Sequence, residues 1–76
     1  MNPKPGDKVI DLLMEHTPAL YGFACARLRD HHMAEDLVQD SLIVGWKTLE
    51  SYQGSSSLLT WLTGILRHKI LDHHRA

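Results

Sequence analysis

Apolar residues recur at spacings of three and four along most of this chain, and no stretch of useful length alternates as a strand does. The periodicity therefore predicts helices. Two signals mark the ends of these helices. Thr17-Pro18, a capping hydroxyl followed by proline, indicates the start of a new helix. Tyr52–Ser56 is a polar loop, and the next residue, Ser57, is a suitable N-cap for the last helix. We predict an all-α fold, a compact bundle of about four helices with a Ser/Gly loop before the last helix.

The predicted boundaries assign nearly the whole chain to one domain, because 76 residues support only one hydrophobic core. Residues 1–6, with Pro3, Pro5 and Gly6, are predicted to form a flexible lead-in, and residues 7–76 the helical domain. Asp7 is expected to cap the first helix. The predicted helices end near His16, Arg29, Ser51 and the last residue, and the third begins near His32.

Helical spacing also predicts which side chains form the core. On the third helix the predicted core face contains Val38, Leu42, Gly45, Trp46 and Leu49. On the fourth it contains Leu58, Leu62, Ile65 and Leu66, with Trp61 at the border. Glycines inside predicted helices, at positions 22, 45 and 64, usually mark close helix–helix approach, and Gly64 could instead leave room for a ligand.

Several classes of protein are disfavoured by the composition. One cysteine, Cys25, excludes an internal disulfide framework, and the chain has neither a signal-peptide pattern nor an apolar run of membrane-spanning length. We therefore expect a soluble cytoplasmic domain without membrane insertion. The six histidines lack metal-ligand spacing, and neither a Gly-rich phosphate loop nor a nucleophile with a recognisable base is present. The expectation is a non-enzymatic protein with no metal and no cofactor.

Charge is unevenly distributed along the chain. Residues 1–50 carry eight acids and five bases, whereas residues 51–76 carry one acid and three bases. On the third helix, Asp36, Gln39, Asp40, Ile43 and Lys47 share the side opposite the core. This side is either a solvated surface or a protein-contact patch with an apolar centre and a charged rim.

The fourth helix presents a basic face. Arg67, His68 and Arg75 lie on it beside hydroxyl groups and Gly64, with Trp61 at its edge. Cations and hydroxyls suit phosphates, and a partly exposed indole can stack on a base. Short basic faces are often only hydrated surface, but the combination favours nucleic acid.

Three motifs occur in order between residues 34 and 75. Residues 34–40 read A-E-D-L-V-Q-D and precede Trp46, residues 52–57 read Y-Q-G-S-S-S, and T-W-L at residues 60–62 precedes Ile65, Asp72 and Arg75. Together they closely resemble region two of bacterial extracytoplasmic-function (ECF) sigma factors, of the sigma-70 type. His68 replaces the asparagine usual in that family, Tyr52 a phenylalanine and Leu66 a small residue.

The resemblance implies a transcription-initiation function with two surfaces. It implies that the third helix docks on the clamp helices of the RNA polymerase β′ subunit, and that the loop and fourth helix recognise the minus-ten promoter element as non-template single strand and help to melt it. An anti-sigma factor is a further implied partner. The implied polymerase-binding residues are Asp36, Gln39, Asp40 and Ile43. The implied DNA-binding residues are Gln53, Gly54, Ser55, Ser56, Ser57, Trp61, Arg67, His68 and Arg75.

Other interpretations remain open from the sequence. The chain could be a sigma-like interaction module bound mainly by an anti-sigma factor, without DNA binding of its own. A histidine-based metal or hydrolytic protein would bind zinc tightly, and a helix-turn-helix repressor would need a shorter Gly turn than the loop here. The family's second domain, which reads the minus-thirty-five element, is expected to be absent from this chain.

Overall fold

A computed structural model describes the backbone of residues 5–75 and the side chains of residues 8–75. It consists of four α-helices and one 3-10 turn, and no strand occurs between residues 5 and 75. This confirms the predicted all-α class and the loop before the last helix. The elements are α1 (Pro5–Met14), α2 (Thr17–Arg27), α3 (His31–Lys47), the 3-10 turn (Leu49–Ser51) and α4 (Leu58–Arg75).

The first helix begins earlier than the sequence pattern predicts. Pro5 and Gly6 belong to α1, so the predicted lead-in was wrong for these two residues, while residues 1–4 lie outside the described part of the chain. A proline is well suited to a first helical turn, because its missing N–H would have no partner there. The helix ends at Met14, two residues before the predicted His16.

The break between α1 and α2 lies where Thr17-Pro18 predicts it, but its cap differs. His16 is the N-cap residue and makes no side-chain capping bond, while Thr17 is already helical. The Thr17 hydroxyl is buried without a hydrogen-bond partner, so its predicted capping role was wrong. Pro18 does lie in the first turn of α2, as predicted.

All four helices contribute to one core, with α3 in contact with each of the others. The Ser41 hydroxyl, buried on α3, is satisfied because it donates to the Leu37 carbonyl at 2.6 Å. None of the helices in the described range is long and apolar enough to cross a bilayer. The buried apolar side chains are Leu13, Leu20, Ala24, Leu28, Ala34, Val38, Leu42, Leu62, Leu66 and Ile70.

Helices α3 and α4 pack tightly at Gly45. A Cβ atom at this position would lie 2.6 Å from Cδ2 of Leu62, which is fully buried. Close packing therefore explains this helical glycine, as the sequence predicts. It does not explain Gly22 or Gly64, because a Cβ at either position would meet no heavy atom within 4 Å.

Candidate functional site

The start of α3 is fixed by Asp30. Its carboxylate oxygen Oδ1 accepts hydrogen bonds from the backbone N–H groups of His32, at 2.9 Å, and Met33, at 3.2 Å. Such a cap satisfies amides that have no partner within the helix. Helix α3 is continuous after this cap, so residues spaced by three and four lie on the same side of it. The predicted polymerase-binding residues therefore share one exposed side. We call this side the acidic face: Asp36, Gln39, Asp40 and Ile43.

Ile43 connects the acidic face to an apolar groove between α1 and α3. Ile10, Met14 and Trp46 line the groove with Ile43, and its volume is about 200 Å³. Trp46 is 51% exposed, so its predicted core position was wrong. The preceding residue, Gly45, occupies the tight contact with α4, and a side chain one residue later points about 100° away. Helical spacing alone could not find this groove, because half of it comes from α1.

The loop before α4 is held against the first turns of that helix by Tyr52. Its ring lies beside Trp61, with centroids 5.2 Å apart and planes inclined by 32°, and its hydroxyl donates to the Ser56 carbonyl. Gly54 has φ of +75°, a left-handed conformation that glycine adopts without steric cost. The ring contact and the hydrogen bond thus link Tyr52 and Ser56 of the loop to Trp61.

Ser57 is the N-cap residue that the sequence predicts for α4. Its hydroxyl oxygen accepts from the Thr60 backbone N–H at 3.1 Å and donates to the Thr60 hydroxyl at 2.8 Å. The Ser57 hydroxyl proton is therefore engaged within the cap. Ser55 is exposed and Ser56 half-buried, so the hydroxyl of Ser55 is the more accessible of the two.

On α4 the predicted basic face is exposed. Arg67, His68 and Arg75 are all exposed, whereas Trp61 is half-buried between this face and the core. Thr60, Trp61, Gly64, Ile65 and His68 line a shallow groove of about 300 Å³, the Trp61 groove. Arg75 lies roughly 27 Å along the helix from Ser57, at 1.5 Å per residue, and so does not share this groove. The whole predicted DNA-binding set is called the loop–α4 surface: residues 53–57, Trp61, Arg67, His68 and Arg75.

A second basic feature lies between α2 and α4 and was missed from the sequence. Arg27 and Phe23 from α2 line it together with Thr60, Thr63, Gly64 and Arg67 from α4. The guanidinium carbon of Arg27 lies 3.5 Å from the centre of the Phe23 ring, a cation–π contact. The one available signal was the four-residue spacing of Phe23 and Arg27, which places them on the same side of a helix.

The side chains that could bind a metal are dispersed over residues 8–75. Among the described residues, no three side chains of histidine, cysteine, aspartate or glutamate lie close enough to share an ion. His73 and His74 are neighbours on α4 with ring centroids 5.8 Å apart.

Comparison with known proteins decides the family. The family model for sigma-70 region 2 matches residues 12–76, which is most of the chain. The chain belongs to the sigma-70 region 2 family. Relatives named as ECF sigma factors agree with this assignment, so it is a region-two domain of the ECF type, as the sequence resemblance implies.

Three relatives illustrate the extent of the similarity. The RNA polymerase sigma factor YlaC of Bacillus subtilis is 29% identical over 95% of this chain and 42% of its own length. The ECF RNA polymerase sigma factor SigG of Mycobacterium tuberculosis is 50% identical over 53% of this chain and 11% of its own. A probable RNA polymerase sigma factor of Haemophilus influenzae is 36% identical over 70% of this chain and 27% of its own.

The region-two domain therefore spans less than half the length of these curated relatives. No solved structure matches the chain significantly.

Proposed function

We propose that this chain is the part of an RNA polymerase sigma factor that docks on polymerase through the acidic face and captures single-stranded promoter DNA through the loop–α4 surface. It acts in transcription initiation, in the cytoplasm, and binds rather than catalyses. The observation that carries the proposal is the joining of the Ser/Gly loop to Trp61 through Tyr52, beside exposed cations on α4. Family membership supports it, because relatives are named as RNA polymerase sigma factors.

Docking on polymerase is supported by the composition and placement of the acidic face. Two carboxylates and one amide share the exposed side of α3 with Ile43, whose side chain is 49% exposed. An apolar centre with a polar rim is typical of protein interfaces, and the acids favour a basic partner surface. In the proposal that partner is the pair of clamp helices of the β′ subunit, which the sequence resemblance implies.

Capture of single-stranded DNA is supported by the chemistry of the loop–α4 surface. An unpaired strand offers both base faces and phosphates, and this surface offers an indole, loop amides and hydroxyls, and guanidinium groups. Moving a minus-ten base out of the duplex stack costs a few kcal/mol of free energy, because its stacking and pairing are lost. Contacts with the loop and Trp61 offset this cost in the proposed complex.

The two surfaces lie on neighbouring helices, because α3 and α4 pack directly at Gly45. Docking of α3 therefore fixes where α4 lies relative to DNA in the polymerase. Since the loop–α4 surface binds unpaired strand in preference to duplex, binding shifts the equilibrium of the promoter toward the melted state. This mechanism needs no catalytic group.

DNA recognition is tested by titrating the chain with single-stranded oligonucleotides selected from a randomised pool. A Trp46→Phe background leaves Trp61 as the only tryptophan, so fluorescence reports on the loop–α4 surface. We expect a preferred sequence, and weaker binding of it by Gln53→Ala. Sequence-independent or undetectable binding, even with a β′ clamp fragment present, would contradict promoter reading.

Polymerase docking is tested with one variant of each surface, and each variant is the control for the other surface. We expect the double variant Asp36→Ala/Gln39→Ala to bind a β′ clamp-helix fragment about tenfold more weakly, a loss of about 1.4 kcal/mol. Gln53→Ala should leave that affinity unchanged, and the double variant should leave DNA affinity unchanged. Unchanged clamp affinity in the double variant, with helical circular dichroism intact, would sink the docking assignment.

A second candidate is an interaction module held mainly by an anti-sigma factor. The exposed apolar groove beside the acidic face favours it, because Trp46 and Met14 are both more than half exposed there. It predicts tight binding of a protein partner with no detectable DNA affinity. The oligonucleotide titration above separates the two candidates.

A further inference from the structure

The groove between α2 and α4, here the α2–α4 groove, has the charge of an anion site. It is an open depression of about 640 Å³. The described side chains that line it include two arginines, Arg27 and Arg67, and no acid. Two guanidinium groups facing one depression favour a ligand that carries more than one negative charge.

Arg27 is held in place for such a role. It is stacked on the Phe23 ring at 3.5 Å, and its Nη1 donates to the Phe23 carbonyl at 3.2 Å. That bond uses one of the five N–H donors of a guanidinium, so others can point to a ligand. A side chain already held loses less conformational entropy when it binds.

Of the two threonines that line the groove, Thr63 has its hydroxyl proton in a hydrogen bond and Thr60 has its own available. Thr63 donates its hydroxyl proton to the Leu59 carbonyl at 2.7 Å and can offer only lone pairs. Thr60 accepts from the Ser57 hydroxyl at 2.8 Å, which leaves its own proton free to bond an anionic oxygen. The α2–α4 groove therefore combines two cations with one hydroxyl donor, a set suited to phosphate oxygens.

The groove adjoins the Trp61 groove, because Thr60 and Gly64 line both. Gly64 has no side chain, so the ridge between the two grooves is low at this residue. A chain-like ligand can cross at Gly64 from one groove into the other. A single nucleic-acid strand has the required alternation, with bases for the indole and phosphates for the arginines.

We propose that the α2–α4 groove binds backbone phosphates of the same single DNA strand whose bases contact the loop–α4 surface, with Arg27 and Thr60 as phosphate ligands beside Arg67. The inference rests on the proposed function and extends the DNA site onto α2. Contacts of this kind carry no sequence information and contribute affinity that falls with salt.

The test measures binding of the chain to a labelled oligodeoxythymidine of about sixteen nucleotides, the upper end of common single-strand site sizes. Arg27→Gln, Arg67→Gln and the double variant are compared with Lys8→Gln, which removes one charge from an exposed position on α1. We expect about tenfold weaker binding by the double variant. Its salt slope should fall by about 1.4, since each phosphate contact on a single strand contributes about 0.7.

Arg27→Gln also removes the stacking of Arg27 on Phe23, which could weaken binding by altering α2. A second pair of variants tests the groove without changing this contact. Gly64→Glu places a carboxylate on the low ridge, and Gly22→Glu places one at an exposed position on α2 outside the groove. Both replace a helical glycine by a better helix former, so both should fold. We expect Gly64→Glu to weaken oligonucleotide binding much more than Gly22→Glu.

The outcomes separate this inference from the proposed function. If selected sequences bind preferentially but Arg27→Gln matches Lys8→Gln, the groove assignment is wrong and promoter reading stands, because Arg67 belongs to both surfaces and Arg27 to the groove alone. If no sequence is preferred yet Arg27→Gln weakens oligodeoxythymidine binding, the groove stands and promoter reading fails. Equal losses on a duplex of the same length would overturn the assignment to a single strand, and no binding by the unmodified chain would overturn both.

Discussion

The acidic face and the loop–α4 surface are built in different ways. The acidic face lies on α3 alone, and its four residues share a side because of helical spacing after the Asp30 cap. The loop–α4 surface needs the loop, the ring contact of Tyr52 with Trp61, and the packing of α3 against α4. The first surface thus depends on local structure and the second on tertiary structure, so perturbations of packing should affect them unequally.

The largest effect is expected from Leu62→Ala, which removes a fully buried side chain at the contact of α3 and α4. The free energy of unfolding should fall by about 2–5 kcal/mol, measured by chemical denaturation, because a cavity remains. At temperatures where the variant is still folded, oligonucleotide binding should weaken more than clamp binding. A larger loss of oligonucleotide affinity than of clamp affinity would show that the loop–α4 surface depends more on packing than the acidic face does.

Leu71→Ala is the matched control for this prediction. It makes the same chemical change on the same helix, but Leu71 is 44% exposed. Its cost should stay within about 0.5 kcal/mol, as for most surface substitutions. Equal losses of clamp and oligonucleotide affinity in Leu62→Ala would show that the acidic face also depends on tertiary packing.

A smaller and more selective effect is expected from Gly54→Ala. Position 54 has φ of +75°, where a residue with a Cβ costs about 1–2 kcal/mol. The loop should therefore change conformation or lose stability, and binding of a selected oligonucleotide should weaken while clamp binding stays constant. Gly54→Asn is the control, since asparagine adopts this conformation more readily. Similar oligonucleotide affinities for the Ala and Asn variants would contradict a requirement for left-handed backbone here.

The same division explains what the sequence could predict. The acidic face, the Ser57 cap and the exposure of Arg67 and His68 follow from spacing and local chemistry, and the structure agrees with each. The resemblance to region two was confirmed by the family match. The individual binding roles of these residues remain predictions.

What the sequence could not predict depends on contacts between helices. Trp46 has the spacing of a core residue, but the close approach at Gly45 leaves it exposed beside α1. Arg27 shares a groove with Arg67 only because α2 packs on α4, and the two lie forty residues apart in the sequence. Periodicity describes one helix at a time, so it contains no information on which helix faces become neighbours.

The smallest effect is expected from Gly64→Ala, and it separates stability from binding. Position 64 is exposed within α4 with open space around it, so alanine should raise the free energy of unfolding by about 0.5–1 kcal/mol through helix propensity. Gly22→Ala, at an equally open position within α2, should give a similar gain. The two variants therefore form a matched pair in thermal or chemical denaturation.

Their difference should appear in binding. The added methyl group at position 64 raises the low ridge between the Trp61 groove and the α2–α4 groove, whereas the one at position 22 lies outside both. We expect Gly64→Ala to weaken oligonucleotide binding by a few-fold despite its greater stability, and Gly22→Ala to leave it unchanged. A glycine kept where alanine would stabilise the helix is then explained by close approach of a ligand. Equal affinities for the two variants would leave Gly64 without a functional explanation and place the strand elsewhere on α4.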